Sequence, residues 1–186
     1  MILYETKFLS LKSYKRENKP DWVYAVRPNA KDVVVILPLI KNGTEEEILF
    51  LLTKRPPLIA ENVAEFCVEL PAGLVGDEDK NETPIDAIKK ELLEETGLVA
   101  DRVEIILDKM SSSSGLTSET STVAICYIND KNIKTPPIND GGVIAERIYV
   151  KKSKINDFLS GCSKKGFAIS SQSLAALYLY LTGIKL

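Results

Sequence analysis

The sequence predicts an α+β sandwich, in which a mixed sheet is flanked by a small number of helices. Two observations carry this. Short runs of β-branched and aliphatic residues outnumber the stretches with helical spacing, and the two kinds do not alternate as a doubly wound fold requires. The 186 residues also contain no repeat, low-complexity tract or linker, which suits a single core. Residues 1–30 are expected to form an N-terminal β extension and 31–186 the main domain.

In chain order, the polar stretch before Asp32 carries scattered Tyr and Trp and predicts peripheral strands over 7–14 and 22–26. Val33-Val34-Val35-Ile36-Leu37 is a β-branched apolar run and predicts a buried strand. Glu47-Ile48-Leu49-Phe50-Leu51-Leu52 predicts its hairpin partner, joined through Lys41-Asn42-Gly43. Further strands are expected over 66–70, 103–107, 121–128 and 147–150, and helices over 83–96, 153–159 and 170–182. In the last helix Leu174, Leu177, Tyr178 and Leu181 recur at helical spacing and are expected to face the sheet.

Composition excludes several functions. A net charge of -2 gives no electrostatic footprint for nucleic acid. No apolar run approaches the roughly 20 residues of a membrane helix. Met1-Ile2-Leu3-Tyr4-Glu5 lacks the basic start and apolar stretch of a signal peptide. Cys67, Cys126 and Cys162 form no C-x-x-C pair, so neither thiolate metal binding nor a disulfide framework is expected, and a reducing cytoplasm fits. The chain has no histidine, which removes Ser-His-Asp and Cys-His nucleophile systems, H-E-x-x-H zinc sites and histidine bases. Any chemistry must use carboxylates, lysines, arginines, tyrosines or an oxygen-held metal.

The helix over 83–96 is the strongest local prediction. Thr83 is a suitable N-cap, Pro84 fits the first turn, Asp86 completes a capping box, and Gly97 sits where a left-handed residue ends a helix. Ile85, Ile88 and Leu92 form the expected buried stripe, and Glu91, Glu94 and Glu95 project together from an adjoining face. For stability alone this is a poor arrangement. Like charges at these spacings cost about 0.2–0.5 kcal/mol per pair, and anions near a helix C-terminus oppose the macrodipole by roughly 0.3–1 kcal/mol. Lys90 offsets part of this. A divalent cation, which takes oxygen ligands, would turn the repulsion into a binding site. Glutamate-rich faces are ordinarily just solvated; here the flanking residues weigh the other way.

Those flanks are Glu69-Leu70-Pro71-Ala72-Gly73, a charged loop, Glu82-Thr83-Pro84, and Lys90-Glu91-Leu92-Leu93-Glu94-Glu95-Thr96-Gly97-Leu98. With them the sequence resembles the Nudix hydrolases, whose signature is G-x5-E-x7-R-E-U-x-E-E-x-G-U with U apolar. Gly76, Glu82, Glu91, Leu92, Glu94, Glu95, Gly97 and Leu98 match it. The resemblance implies an α/β/α sandwich with a mixed sheet and magnesium-dependent cleavage of a phosphoanhydride, with manganese able to substitute. It makes Glu91, Glu94 and Glu95 catalytic metal ligands, joined by the Ala72 carbonyl. Lys90 stands where the family has arginine and lacks its planar fork, so altered tuning rather than lost activity is expected. Ala72-Gly73 is read as the counterpart of the signature's glycine, which leaves Gly76 matching the written pattern partly by coincidence.

The surroundings resemble the ADP-ribose pyrophosphatase branch of that family. Arg55 lies where the branch places an arginine near the substrate phosphates. Ser113-Ser-Gly-Leu-Thr-Ser-Glu119 resembles its S-P-G-x-T-S-E loop, in which the glutamate contacts substrate, although Ser114 replaces the proline. Trp22 and Arg27 lie where an aromatic and an arginine hold the nucleoside, often across a dimer interface. For the general base, the resemblance implies Glu146 on a loop before the last strand, with Asp140 a weaker candidate. The implied reaction is hydrolysis of ADP-ribose, or a related nucleotide sugar, to AMP and a sugar phosphate. A homodimer, made through the N-terminal extension, is the implied assembly. Two other readings stay open: hydrolysis of free nucleoside triphosphates, and a non-catalytic nucleotide-binding module on the same fold.

Overall fold

The structure is a computed structural model that describes residues 1–129 and 143–184. At the N-terminus β1 (Ile2–Glu5), β2 (Ser10–Tyr14) and β3 (Trp22–Val26) form a three-stranded antiparallel sheet. The chain then makes the hairpin β4 (Asp32–Asn42) and β5 (Glu45–Thr53), a short helix α1 (Pro56–Ala60), and strands β6 (Cys67–Glu69) and β7 (Ala72–Val75). The acidic helix α2 (Pro84–Thr96) follows, then β8 (Arg102–Ser111), β9 (Thr120–Ile128) and β10 (Ile144–Lys151). Helix α3 (Ile155–Lys164), β11 (Ala168–Ile169) and α4 (Ser171–Thr182) close the described chain.

Strands β4 to β11 make one eight-stranded sheet in the order β11-β6-β5-β4-β9-β8, with β10 on β5 and β7 on β4. It is mixed: β4 runs parallel to β9 and β11 parallel to β6, while β4 is antiparallel to β5 and β7. The run at Val33 is continuous rather than alternating because both faces of β4 are covered. Val34 and Ile36 pack with Ala87, Ile88 and Leu92 of α2. Val35 and Leu37 pack on the other face with Ile155 of α3 and Ala176 and Leu177 of α4. This is an α/β/α sandwich, the fold class the sequence predicts.

The departures are local. The hairpin turn falls at Gly43-Thr44 rather than Lys41-Asn42-Gly43, because β4 stays paired as far as Asn42 and Gly43 takes the left-handed conformation at φ 65°. Ile85 is 37% exposed, and Ala87 occupies the buried stripe in its place. On α4 the expected face is also wrong: Leu177 is buried, but Leu174, Tyr178 and Leu181 are 42–59% exposed. The buried face consists of Ser173, Ala176, Leu177 and Leu179. Small residues let the helix lie close to the sheet, and the Ser173 hydroxyl accepts a bond from the Leu70 amide at 2.8 Å. Hydrophobic spacing could not rank a serine above a leucine. Among the described residues no helix is long and apolar enough to cross a membrane.

Candidate active site

Helix α2 is fixed at both ends by its own sequence. The Thr83 hydroxyl accepts from the Asp86 amide and the Asp86 carboxylate from the Thr83 amide, both at 3.2 Å. At the other end Gly97, at φ 74°, donates to the Leu93 carbonyl at 2.8 Å. With Ala87, Ile88, Leu92 and Thr96 buried, Glu91, Glu94 and Glu95 are left half-buried along the adjoining face.

Strand β7 lies against that face. The Ala72 amide donates to Glu95 Oε2 at 3.0 Å. In extended chain a residue's N–H and C=O leave on the same side, so the Ala72 carbonyl is turned toward α2 as well. Gly73 carries no side chain at the point of closest approach: a Cβ there would fall inside the Glu91 carboxyl group. Gly76 also has a definite task beside that of Gly73. It adopts φ 78°, and its amide donates to Glu82 Oε2 at 2.8 Å. The other oxygen of Glu82 meets Lys90 Nζ at 3.1 Å. Lys90 lies 3.7–3.9 Å from Asp77, Glu78 and Glu91 as well, one point charge serving four carboxylates.

Burial, reinforced by the Glu95 carboxylate, pushes Glu91 up to about 8; Lys90 opposes this, and Glu94 and Asp77 add to it. Among the described residues no three acidic side chains already enclose a cation-sized space. Repelling carboxylates turn to other partners, as Glu95 does to Ala72 and Glu91 to Lys90. The donor set nonetheless suits a hard divalent ion. It offers oxygen alone, and one carboxylate is held against a glycine where its ionisation is costly even with Lys90 3.8 Å away.

A second cluster borders the same face. Glu69 accepts from Arg55 Nε at 2.7 Å and from the Thr53 hydroxyl at 2.8 Å. In the sheet Leu51 stands between Glu69 on β6 and Arg147 on β10, forming one row across the strands. Arg147 reaches the helix, where its Nε donates to the Glu95 carbonyl at 2.5 Å. Sequence reasoning missed Arg147, because only the register of β10 on β5 brings it here. Glu146 is not on a loop but inside β10, exposed, opposite Leu52. Leu52 and Ile148 belong to the α3–α4 face, so alternation directs Glu146 away from α2. Asp140 lies outside the described residues.

The remaining candidates meet at the edge of the N-terminal sheet. Trp22 Nε1 donates to the Gly115 carbonyl at 2.9 Å, and Arg27 Nε meets Glu119 Oε2 at 2.5 Å. Ala25 bridges to Thr117, and its amide donates to the Leu116 carbonyl at 2.8 Å. Ser113 anchors the loop through its carbonyl, which accepts from the amides of Leu116 and Thr117, both at 2.9 Å. Beside this cluster a cleft of about 260 Å³ is lined by Lys7, Phe8, Arg27, Asn29, Leu74 and Asp77. It connects Arg27 to the end of β7, and Asp77 leads on to Lys90.

The acidic helix is thus laid on a glycine of the adjacent strand, in an α/β/α sandwich without histidine. The NUDIX domain model matches residues 30–157. An uncharacterized Nudix hydrolase of Schizosaccharomyces pombe is 30% identical over 179 residues, covering 89% of this chain and 82% of that protein. A protein of Caenorhabditis elegans named as a nudix hydrolase is 26% identical over 176 residues, covering 93% of this chain and 71% of that one. The fold is similar to that in the crystal structure of an ADP compounds hydrolase, with a TM-score of 0.67 and 16% identity, covering 98% of this chain and 94% of that one. The chain belongs to the Nudix family. It is a pyrophosphatase acting on nucleoside diphosphate derivatives.

Proposed function

We propose that the substrate is ADP-ribose or a closely related nucleotide sugar, cleaved with magnesium to AMP and a sugar phosphate. The observation that carries this reading is that Trp22 and Arg27 both bind the 113–119 loop, and that Arg27 also lines a cleft with Leu74 of β7 and Asp77. An aromatic ring and an arginine held along one loop suit a nucleoside with its phosphate, and the cleft runs from Arg27 to Asp77, which lies 3.9 Å from Lys90. The similarity of fold to an ADP compounds hydrolase agrees with it. In the reaction, water adds to one phosphorus and the bridging P–O bond breaks, leaving two phosphomonoesters.

Glu91, Glu94 and Glu95, with the Ala72 carbonyl, would hold the metal. When bound, magnesium or manganese neutralises phosphate oxygens and makes a water more acidic. Arg55, whose Nε and Nη2 are both held by Glu69 at 2.7 Å, would turn its remaining outer nitrogen, Nη1, to the phosphates. Glu146 is the base the resemblance implies; its place on β10 makes Glu146→Gln an informative variant, since unchanged turnover would remove it from the reaction.

Products from a panel of ADP-ribose, other nucleotide sugars and nucleoside triphosphates, each with magnesium, test the substrate. AMP released fastest from ADP-ribose is expected. Faster pyrophosphate release from triphosphates would overturn the reading, and Ser114 is the observation in that rival's favour. The exposed apolar side chains Ile2, Leu3, Tyr4, Phe8 and Leu9 further suggest a homodimer through the N-terminal sheet. Sedimentation at micromolar concentration should give twice the chain mass; a monomer would count against it.

A further inference from the structure

We propose that Arg147 is a positioning residue that holds the metal-binding end of α2 in place. The proposal rests on the reading of the acidic cluster as a divalent-cation site. The last turn of α2 contains no basic residue, although it carries Glu94 and Glu95 at the negative end of the helix dipole. Its final carbonyls have no partner within the helix. Leu93 is capped by the Gly97 amide at 2.8 Å, and Glu95 by Arg147 Nε at 2.5 Å.

Glu95 is thereby held at two points. Its main chain is tied to β10 through Arg147, and its carboxylate to β7 through the Ala72 amide at 3.0 Å. Arg147 is itself well placed to act as a fixed strut. It is half-buried, and its strand position is set by pairing with the buried Leu51, whose other neighbour is Glu69. Without the strut the terminal turn can shift on β7, and the Glu95 oxygens then lose their spacing to those of Glu91.

The contact uses Nε, which decides the test. In glutamine the side-chain amide nitrogen occupies the same position along the chain as arginine Nε, so Arg147→Gln keeps the donor and removes the charge. Arg147→Met keeps the stem and removes both. Free Mn2+ measured by electron paramagnetic resonance, in protein without substrate, gives the affinity of each. Loss of positioning should weaken Mn2+ binding by about tenfold in Arg147→Met, with Arg147→Gln within about threefold of the parent. A purely electrostatic neighbour predicts the opposite sign, because removing a cation beside carboxylates should tighten Mn2+. Substrate KM at saturating metal should change by less than about twofold, since the strut does not touch substrate.

Circular dichroism checks that each variant is folded. If Arg147→Met does not fold, Arg147→Leu, which still covers Leu51, carries the same expectation. Binding by either apolar variant as tight as the parent's, or equal losses in the apolar and glutamine variants, would overturn the proposal. A parent protein that binds no Mn2+ would instead overturn the cation-site reading itself.

Discussion

The Glu91 carboxyl occupies the volume in which Gly73 would otherwise carry a side chain. Residues 18 positions apart, on a helix and on a strand, are thus matched to each other, one long and acidic and the other without a Cβ. The glycine of β7 is needed for approach rather than for backbone conformation.

Gly73→Ala should therefore separate stability from activity. The atoms in the way are the free end of a flexible side chain, which can swing aside at a cost on the order of 1 kcal/mol. Turnover should fall at least about a hundredfold, since the displaced group is a proposed metal ligand. Steady-state kinetics beside a melting curve would check both halves, and near-parent activity would show that Glu91 is not needed where it lies.

Metal dependence is the second expectation. Hydrolysis should cease with a chelator and return with magnesium or manganese. Glu95→Gln should lower kcat by orders of magnitude while far-ultraviolet circular dichroism stays unchanged. Full activity in that variant would remove the helix from the chemistry.

Glu91 also gives the metal-free protein a pH dependence of known sign. Its folded value of about 8 lies above the ordinary 4.5, so the native state binds more protons than the unfolded state between those limits. Stability from this group is intact below pH 4.5 and is lost as pH rises toward 8. With a chelator present, Tm should decline over that window more steeply in the parent than in Glu91→Gln. Magnesium should flatten the parent's slope. Equal slopes for the two proteins in chelator would contradict the burial of an acidic Glu91.

Lys90 supplies a fourth test, because four carboxylates share it. Lys90→Arg restores the family's residue and should change kcat/KM by no more than about threefold, since the charge is kept. Lys90→Met leaves Glu82, whose side chain is only 9% exposed, without its cation. A loss of about 1–3 kcal/mol in denaturant unfolding is expected. An unaltered midpoint would show Glu82 to be satisfied by the Gly76 amide alone.

Helix α2 was legible in the sequence because its boundaries are written locally: the Thr83–Asp86 box and Gly97 lie within the helix or beside it. The buried strand at Val33 was legible for the same reason. Features that depend on register were not. Glu146 and Arg147 are adjacent, and which of them meets α2 follows from pairing with Leu52 and Leu51, about 95 residues away in the chain. The outward face of α4 was misread because hydrophobic spacing favours Leu174 and Tyr178, whereas close packing favours Ser173 and Ala176. The glycine signature was legible in outline, but the separate tasks of Gly73 and Gly76 needed the positions of Glu91 and Glu82.

The contacts of Trp22 with Gly115 and of Arg27 with Glu119 join stretches 93 and 92 positions apart. A relative with altered taste in substrates cannot change one stretch freely, because a new loop would leave an arginine without its carboxylate and a strand edge without its bridge. The two should drift as a linked pair, while the acidic helix keeps its spelling. A chimera that imports 22–27 and 113–119 together from another member should inherit its donor's preference. One that imports either piece alone should inherit only a weakened grip.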